Sequence, residues 1–299
     1  MKSLLEGRRL LALLVTLALL SLSVACGGGD DEADDEDNSN SGTETAASKY
    51  TPTGNEGSIT GTINFTGAAP AVKPISMDAD PYCASSNPNA HAEDAVVNDG
   101  KLQNVFVYIK EGKTADGKSI ASLAFDPPAP DATLDQHGCQ YHPHILGMMT
   151  TQNFKVTNSD QTTHNVHPSP KSNEEWNQSQ SAGAPAIEKK FARPEILVPV
   201  KCNQHPWMKA YVGVMRNPFF SVSGADGKFE IRGLPPGTYT LVAWHEKYGE
   251  KTQTVTVTAK ESKSQDFSYD GTTASAELRG GSLTVMPALD LPMLMDMKH

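Results

Sequence analysis

Short runs of alternating apolar residues dominate the chain from residue 57 to about residue 269, and Gly, Pro, Asn or Asp interrupts them every few positions. The run GSITGTINFTG places Ile59, Ile63 and Phe65 on one face. A period of two is typical of strands with one buried face. Further runs predict buried-face residues at Val105, Val107, Ile109, Phe154, Val156, Ile196, Val198 and Val200. Because no stretch keeps helical spacing for three turns, the sequence predicts an all-β protein of two β-sandwiches.

The start of the chain predicts export. Residues 1–25 combine a basic head with an apolar run from Leu10 to about Leu20, followed by small residues before Cys26. This order is typical of a signal peptide, and the run is short for a membrane-spanning helix, the weaker alternative. The ending LSVAC resembles a bacterial lipobox, which implies lipidation of Cys26 and a membrane anchor; soluble secretion is the alternative. We expect an extracytoplasmic location in the cell envelope, in the periplasm or on the outer surface.

Residues 26–56 are predicted to form an acidic, disordered linker. Seven carboxylates lie between Asp30 and Asp37, and apolar side chains are almost absent there. Such a segment cannot bury a core. The formal charge of −10 therefore overstates the acidity of the folded part: the carboxylate run gives −7 and residues 1–25 give +2, which leaves −5 for the rest. No stripe of Lys and Arg indicates nucleic-acid binding.

The remaining cysteines are informative in an oxidising compartment. Cys83 and Cys139 both lie in polar loop sequence, and a mutual disulfide is their expected state. The alternative is a second metal site that uses Cys139 with His142 and His144, which share a face if the segment is a strand. Cys202 then has no cysteine partner. A thiolate outside the cytosol is well suited to hold copper.

The stretch VKCNQHPWMKAYVGV places Cys202, His205 and Met208 at three-residue steps between two strands. A thiolate, an imidazole and a thioether are three of the four ligands of a mononuclear blue-copper site. The second imidazole is expected from His164, in VTNSDQTTHNVHPSP, with His167 as the alternative if the turn is shifted. Met208 could instead simply fill the core, since methionine is a common gap filler.

The upstream His-Asn and the Cys-x2-His-x2-Met loop together resemble the cupredoxins, most closely their amicyanin group, over residues 130–216. The resemblance implies a Greek-key β-sandwich with one type 1 copper ion. It makes His164 and His205 the imidazole ligands, Cys202 the thiolate and Met208 the axial sulfur. It also implies that Asn165 ties the two ligand loops together, and that His205 surfaces in an apolar patch beside Trp207, where electrons leave. A Trp207 packed under the loop is the alternative.

A second resemblance, to carboxypeptidase regulatory-like domains, rests on the segment KFEIRGLPPGTYTLVAWHE. Its two alternating runs flank a tight LPPG turn, as in a hairpin. We assign residues 57–216 to the copper domain and 217–270 to the regulatory-like domain. Residues 57–75 look like a first strand of the second domain, so a copper domain inserted into it is the alternative. His245 in this segment is expected to be a packed or surface residue.

Together these features predict a membrane-anchored protein that transfers single electrons through copper and is not an enzyme, because protein side chains fill every ligand position. Its partner would be a redox protein such as a c-type cytochrome or an oxidase. A copper carrier or storage protein and a structural surface module are the alternatives. The tail 271–299 is expected to be loosely ordered, although it could capture Cu(I) through Met286, Met293, Met295, Met297 and His299.

Overall fold

The computed structural model describes residues 47–271, and nearly all of the regular secondary structure in this range is β-strand. The predicted signal peptide, Cys26, most of the linker and the methionine-rich tail lie outside the described residues. The strands are β1 (Ser48–Lys49), β2 (Gly57–Thr66), β3 (Val97–Asn98), β4 (Lys101–Leu102), β5 (Phe106–Thr114), β6 (Leu123–Ala124), β7 (Ala132–His137), β8 (Gln140–His142), β9 (Ile145–Met149), β10 (Phe154–Asn158), β11 (His164–Pro168), β12 (Gln178–Gln180), β13 (Ile187–Lys189), β14 (Glu195–Lys201), β15 (Lys209–Met215), β16 (Phe220–Val222), β17 (Lys228–Leu234), β18 (Gly237–His245), β19 (Gly249–Val257), β20 (Ser262–Ser264) and β21 (Phe267–Asp270). The helices are α1 (Pro81–Ser86) and a 3-10 turn at Ile120–Ser122. Within this described part, no helix is long and apolar enough to cross a membrane.

Strands β7 to β15 form the first sandwich, which we call sandwich A. One of its sheets has the order β13-β10-β7-β8 and the other the order β12-β11-β14-β15-β9. The alternating residues of these strands, among them Phe154, Val156, Val198 and Val200, are buried together between the sheets. The all-β prediction is confirmed.

Sandwich B contains β2 to β5 and β16 to β21. Its sheets have the orders β16-β5-β18-β19 and β17-β2-β4-β3, and β20 and β21 also pair with β2. Strand β2 pairs antiparallel with β17, with Ile59 opposite Ile231. The strands before sandwich A therefore hydrogen-bond with the strands after it. The predicted range 57–216 for the copper domain does not follow the sheets, because β2 to β5 belong to the other sandwich and sandwich A is inserted between them and β16.

The two sandwiches share a small apolar cluster. Phe106 and Val242 of sandwich B pack there with Ile145 and Met215 of sandwich A. The close approach depends on Gly213 of β15, where an added Cβ would lie 2.6 Å from the Phe106 ring. A side chain at this position would separate the sheets.

Two further predictions are corrected by the structure. The end of the predicted linker is ordered: β1 pairs with β6, and Tyr50 packs against the core of sandwich B. In β14, Ile196 is 40% exposed while Leu197 is buried. The register of β14 on β15 shifts between Glu195 and Val198, and Leu197 has a φ of +60°. This bulge reverses the side-chain alternation at its start.

A loop of sandwich B, residues 74–91, lies against sandwich A, and we call it the cap loop. Its ends meet in an isolated bridge between Pro74 and His91. Inside the loop, Asp80 begins α1 by accepting hydrogen bonds from the backbone N–H groups of Tyr82 and Cys83, which is a standard N-cap arrangement. Met77, Cys83 and Ala90 are buried in the core of sandwich A. The cap loop thus covers one end of the inserted sandwich.

Candidate metal centre

The four predicted ligands come from strand β11 and from the loop that joins β14 to β15 in sandwich A. His164 is the first residue of β11, and the other three lie in the loop from β14 to β15. Two backbone hydrogen bonds fold that loop: the N–H of Cys202 donates to the carbonyl of Met208 over 3.3 Å, and the N–H of Met208 donates to the carbonyl of His205 over 2.9 Å. All four side chains are buried.

The structure brings three of these residues together through their ligand atoms. The Nδ1 atoms of His164 and His205 are 2.9 Å apart, and the Cys202 Sγ lies 3.7 Å from Nδ1 of His205. One ligand atom from each residue lies within 4.8 Å of the others. Met208 is buried in the same core cluster as Cys202.

Asn165 has the contacts that the resemblance implied. Its side-chain oxygen accepts a hydrogen bond from the backbone N–H of Asn203, and its side-chain amide donates to Asn177. Its own backbone N–H points at the Cys202 Sγ, over 3.4 Å. Asn165 therefore joins the start of β11 to the Cys202 loop and places a donor on the sulfur.

A buried carboxylate lies behind His164. Oδ2 of Asp160 accepts a hydrogen bond from Nε2 of His164 over 2.8 Å. The same carboxylate accepts the backbone N–H groups of Gly138 and Cys139, each over 2.8 Å. Asp160 was not predicted as a site residue, although its position four residues before His164 in a turn is a signal for such a contact.

A second carboxylate lies behind His205, which is 4% exposed. Oδ2 of Asp80, in the cap loop, is 3.1 Å from Nε2 of His205, and Sγ of Cys83 is 3.9 Å from the same nitrogen. The prediction that His205 surfaces is therefore wrong, because α1 lies over its outer edge. Only the Asp-Pro helix start indicated this segment in the sequence, and nothing there linked it to His205.

Trp207 is packed rather than presented in an exposed patch. Its ring centroid is 5.1 Å from that of His205, and its indole N–H donates to the carbonyl of Cys139 over 3.0 Å. It is partly buried against the core of sandwich A. The predicted electron exit through His205 and Trp207 is corrected accordingly, and the packed alternative describes Trp207.

The other cysteines and histidines have separate roles. Cys83 and Cys139 form a disulfide, and Cys202 is the free cysteine of the described chain. The alternative second metal site does not form, because Cys139 is bridged, His142 bonds the carbonyl of His137, and His144 bonds Glu246. His167 bonds Asn203 and Glu175 on the exposed side of β11.

The electrostatics of the site favour a thiolate beside an imidazolium. Burial lowers the pKa of His164, but the hydrogen bonds to Asp160 and Cys202 outweigh it and raise that pKa to about 9. Burial raises the pKa of Cys202, but His164 and the N–H of Asn165 hold it below its ordinary value. Burial lowers the pKa of His205, and Asp80 opposes this effect. The negative charges of Cys202 and Asp160 therefore favour positive charge at this point, carried by a proton on His164 or by a metal ion that replaces that proton.

These donors fit copper. A thiolate with two imidazoles, and a thioether in the same loop, is the donor set of mononuclear copper sites, since sulfur stabilises Cu(I) and imidazole serves both oxidation states. All four side chains belong to this chain and are buried. Two imidazoles and one thiolate are therefore placed to hold a metal ion, and Met208 offers a thioether from the same loop and core cluster.

The family model of the carboxypeptidase regulatory-like domain matches residues 212–269. This range begins within β15 of sandwich A and covers β16 to β20 and all but the last residue of β21 in sandwich B, where the LPPG segment predicted such a domain. No curated protein sequence matches the chain.

Several solved structures are similar to the chain. A copper-containing nitrite reductase from Thermus scotoductus has 16% identity and a TM-score of 0.28, over 31% of this chain and 26% of that one. A purple cupredoxin from Nitrosopumilus maritimus has 20% identity and a TM-score of 0.25, over 28% of this chain and 99% of that one. Amicyanin from Paracoccus versutus has 15% identity and a TM-score of 0.25, over 36% of this chain and 96% of that one.

The chain is thus similar to cupredoxins in structure and to a carboxypeptidase regulatory-like domain in sequence, the two families that its motifs resemble.

Proposed function

We propose that the protein binds one copper ion at His164, Cys202, His205 and Met208 and transfers single electrons through it. The observation that carries this proposal is the convergence of two imidazole Nδ1 atoms and one free thiol in a buried pocket. A thiolate favours Cu(I), while the imidazoles support Cu(II). Both oxidation states are then held by one donor set.

The rigidity of the surroundings supports electron transfer. The Cys202 loop is fixed by its own backbone hydrogen bonds, by Asn165 and by the packed ring of Trp207. A metal held in such a site changes its ligand geometry little between oxidation states. Because protein side chains supply all four donors, no position is left for a substrate, and we infer that the protein is not an enzyme.

The setting in the cell is part of the same proposal. A lipidated Cys26 would anchor the chain to a membrane, and residues 27–47 would link the anchor to the two sandwiches. A redox protein of the cell envelope, such as a c-type cytochrome or an oxidase, would be the partner. Because the cap loop covers His205, an electron would reach the copper through the residues that cover the site and not through an exposed edge of the His205 ring.

A copper carrier or store is the second candidate, and the cap loop is the observation that favours it. Asp80 and Cys83 lie over His205, so a movement of this loop would open the site for uptake and release of the metal. Redox titration of the copper-loaded protein separates the two functions. Electron transfer predicts a reversible one-electron couple and slow copper loss to a chelator. Rapid exchange of copper without a reversible couple would support the carrier and contradict electron transfer.

A further inference from the structure

Both histidines of the proposed site meet a carboxylate on the ring nitrogen that faces away from Cys202. For His164 the partner is Asp160, with 2.8 Å between Nε2 and Oδ2. For His205 it is Asp80, with 3.1 Å between the same kinds of atom. The two carboxylates come from different parts of the chain: Asp160 from the turn before β11, and Asp80 from the cap loop of sandwich B.

Both carboxylate oxygens of Asp160 act only as hydrogen-bond acceptors. One oxygen accepts the N–H of Gly138 and the hydroxyl of Tyr82, over 2.8 and 3.3 Å. The other accepts the N–H of Cys139 and Nε2 of His164. Backbone N–H groups can only donate, so the carboxylate cannot turn or exchange roles. It therefore requires a proton on Nε2 of His164.

The surroundings of Asp80 act in the same way. Its Oδ1 accepts the N–H groups of Tyr82 and Cys83 at the start of α1, over 2.8 and 3.2 Å. Its Oδ2 accepts the hydroxyl of Thr162, over 3.1 Å, and faces Nε2 of His205. The disulfide from Cys83 to Cys139 fixes α1 on sandwich A.

We propose that Asp80 and Asp160 are positioning residues of the copper site, which hold the proton of each histidine on Nε2 and turn both Nδ1 lone pairs toward Cys202. This inference rests on the proposed copper function. A neutral imidazole carries one N–H and one lone pair, so the partner of one nitrogen decides which atom is free for the metal. A carboxylate partner also makes the ring a stronger donor, which favours Cu(II) over Cu(I).

Asp80→Asn is the sharpest test, because asparagine caps helices as well as aspartate. The new side chain can keep its oxygen on the N–H groups of Tyr82 and Cys83, which places its NH2 group opposite Nε2 of His205. A donor at that point favours the proton on Nδ1 of His205, where it competes with the metal. Asp160 offers no comparable exchange, since both of its oxygens face backbone N–H groups.

The matched control is Asp135→Asn. Asp135 lies in sandwich A and accepts the hydroxyl groups of Thr157 and Ser159, over 2.6 and 3.0 Å. This variant removes one carboxylate charge from sandwich A, on which the cap loop lies, and the carboxylate it removes accepts from hydroxyl groups and not from a histidine. Thermal unfolding followed by circular dichroism establishes that both variants keep the fold.

Three readouts on the full chain follow the effect of Asp80→Asn. Competition with a chelator should show Cu(II) affinity about 10- to 100-fold lower than in wild type, as is typical when a partner of a metal-bound histidine is lost. The reduction potential should rise by about 59 mV for each tenfold loss confined to Cu(II). In the Zn(II)-loaded wild-type protein, 15N NMR of the histidine rings should show a proton on Nε2 of both His164 and His205. In Asp80→Asn, the signal of the protonated Nε2 of His205 should be lost.

Affinity and potential equal to those of Asp135→Asn would overturn the proposal, as would a wild-type spectrum with Zn(II) bound at either Nε2. Failure of the copper function is a different result. In that case wild-type protein loaded with Cu(II) would show no thiolate-to-copper absorption, while the Zn(II) spectra would still report which ring nitrogens carry protons.

Discussion

Both sandwiches bury histidines, yet among the described residues only sandwich A brings two imidazoles and a free thiol close enough together to hold a metal ion. His164 and His205 direct their Nδ1 atoms toward each other and toward Cys202, and their outer nitrogens bond to carboxylates. In sandwich B, His245 is 1% exposed and uses Nδ1 to accept the backbone N–H groups of Lys247 and Tyr248. Its Nε2 has no hydrogen-bond partner among the described residues.

The difference shows that the partners of the ring, and not its burial, decide what a histidine can do. At His245 the Nδ1 lone pair accepts backbone N–H groups and is not free for a metal. The ring also stacks on Tyr248 with 4.7 Å between centroids, so it contributes to packing in the core. At His164 a carboxylate takes the proton side, so the lone pair is left for a cation. The following predictions test this contrast in order of decreasing effect.

The largest effect is expected from His164→Ala, which removes one of the two converging Nδ1 atoms. Cu(II) affinity should fall by more than the roughly 100-fold that marks the upper range for loss of an outer partner. Isothermal titration with copper and a competing chelator measures this.

His167→Ala is the control in the same strand, because the His167 ring bonds Glu175 and the side chain of Asn203 and is not among the residues whose ligand atoms converge. Its affinity should stay within about twofold of wild type, which is less than 0.5 kcal/mol. If His167→Ala abolished binding and His164→Ala did not, the ligand would be three residues further along the chain.

The disulfide is expected to contribute the next largest effect. Replacing both Cys83 and Cys139 by serine should lower the free energy of unfolding by about 2–5 kcal/mol, since the bridge closes a long loop in the unfolded chain. Urea denaturation of metal-free protein measures the loss.

Thiol counting on a Cys26→Ser background supplies the check on the disulfide. Denatured, unreduced protein should contain one reactive thiol, Cys202. Finding three would show that Cys83 and Cys139 are not bridged and that the cap loop is not fastened to sandwich A by this bond.

His245 predicts a pH dependence confined to sandwich B. Burial lowers its pKa to about 4, below the ordinary value of 6.5. Between pH 4 and pH 6.5 the unfolded chain therefore binds a proton at His245 that the folded chain does not bind. The contribution of His245 to the free energy of unfolding keeps its full value above pH 6.5 and falls as the pH drops toward 4. The whole loss is at most about 3 kcal/mol, from 1.36 kcal/mol per pKa unit.

His245→Phe should remove this part of the acid sensitivity. Urea denaturation of the metal-free proteins at pH 7 and pH 4.5 gives the comparison, and the variant should lose less stability than wild type over that interval. His91→Phe, at an exposed position, should behave as wild type does. Equal losses in wild type and His245→Phe would show that His245 is protonated in the folded protein.

Trp207→Phe should have the smallest effect. The change removes the hydrogen bond to the carbonyl of Cys139 and keeps an aromatic ring beside His205. One such bond contributes about 1 kcal/mol, measurable by urea denaturation. The absorption of the copper protein should be nearly unchanged. No loss of stability would indicate that Trp207 does not hold the Cys202 loop to sandwich A.

The sequence predicted what depends on local pattern. The alternation around Ile59 and Phe154 gave the strands, and the spacing of Cys202, His205 and Met208 placed three candidate ligands in one loop. The motif at the LPPG turn located most of sandwich B. These features lie within short segments, so propensity and spacing can report them.

What it did not predict depends on distant contacts. Asp80 reaches His205 across 125 positions of sequence, and no local pattern joins them. The bulge at Leu197 reverses the exposure of Ile196, because the pairing with β15 overrides the alternation of β14. Burial of His205 was missed for the same reason, since the covering helix belongs to the loop of another sandwich.

The absorption spectrum of the purified protein loaded with Cu(II) tests the central claim most directly. A thiolate of Cys202 bound to copper predicts an intense charge-transfer band in the visible region with one copper per chain, and Cys202→Ser should abolish the band while circular dichroism still shows the β-fold. A colourless wild-type copper protein, or a serine variant that keeps the band, would contradict the assignment of this site.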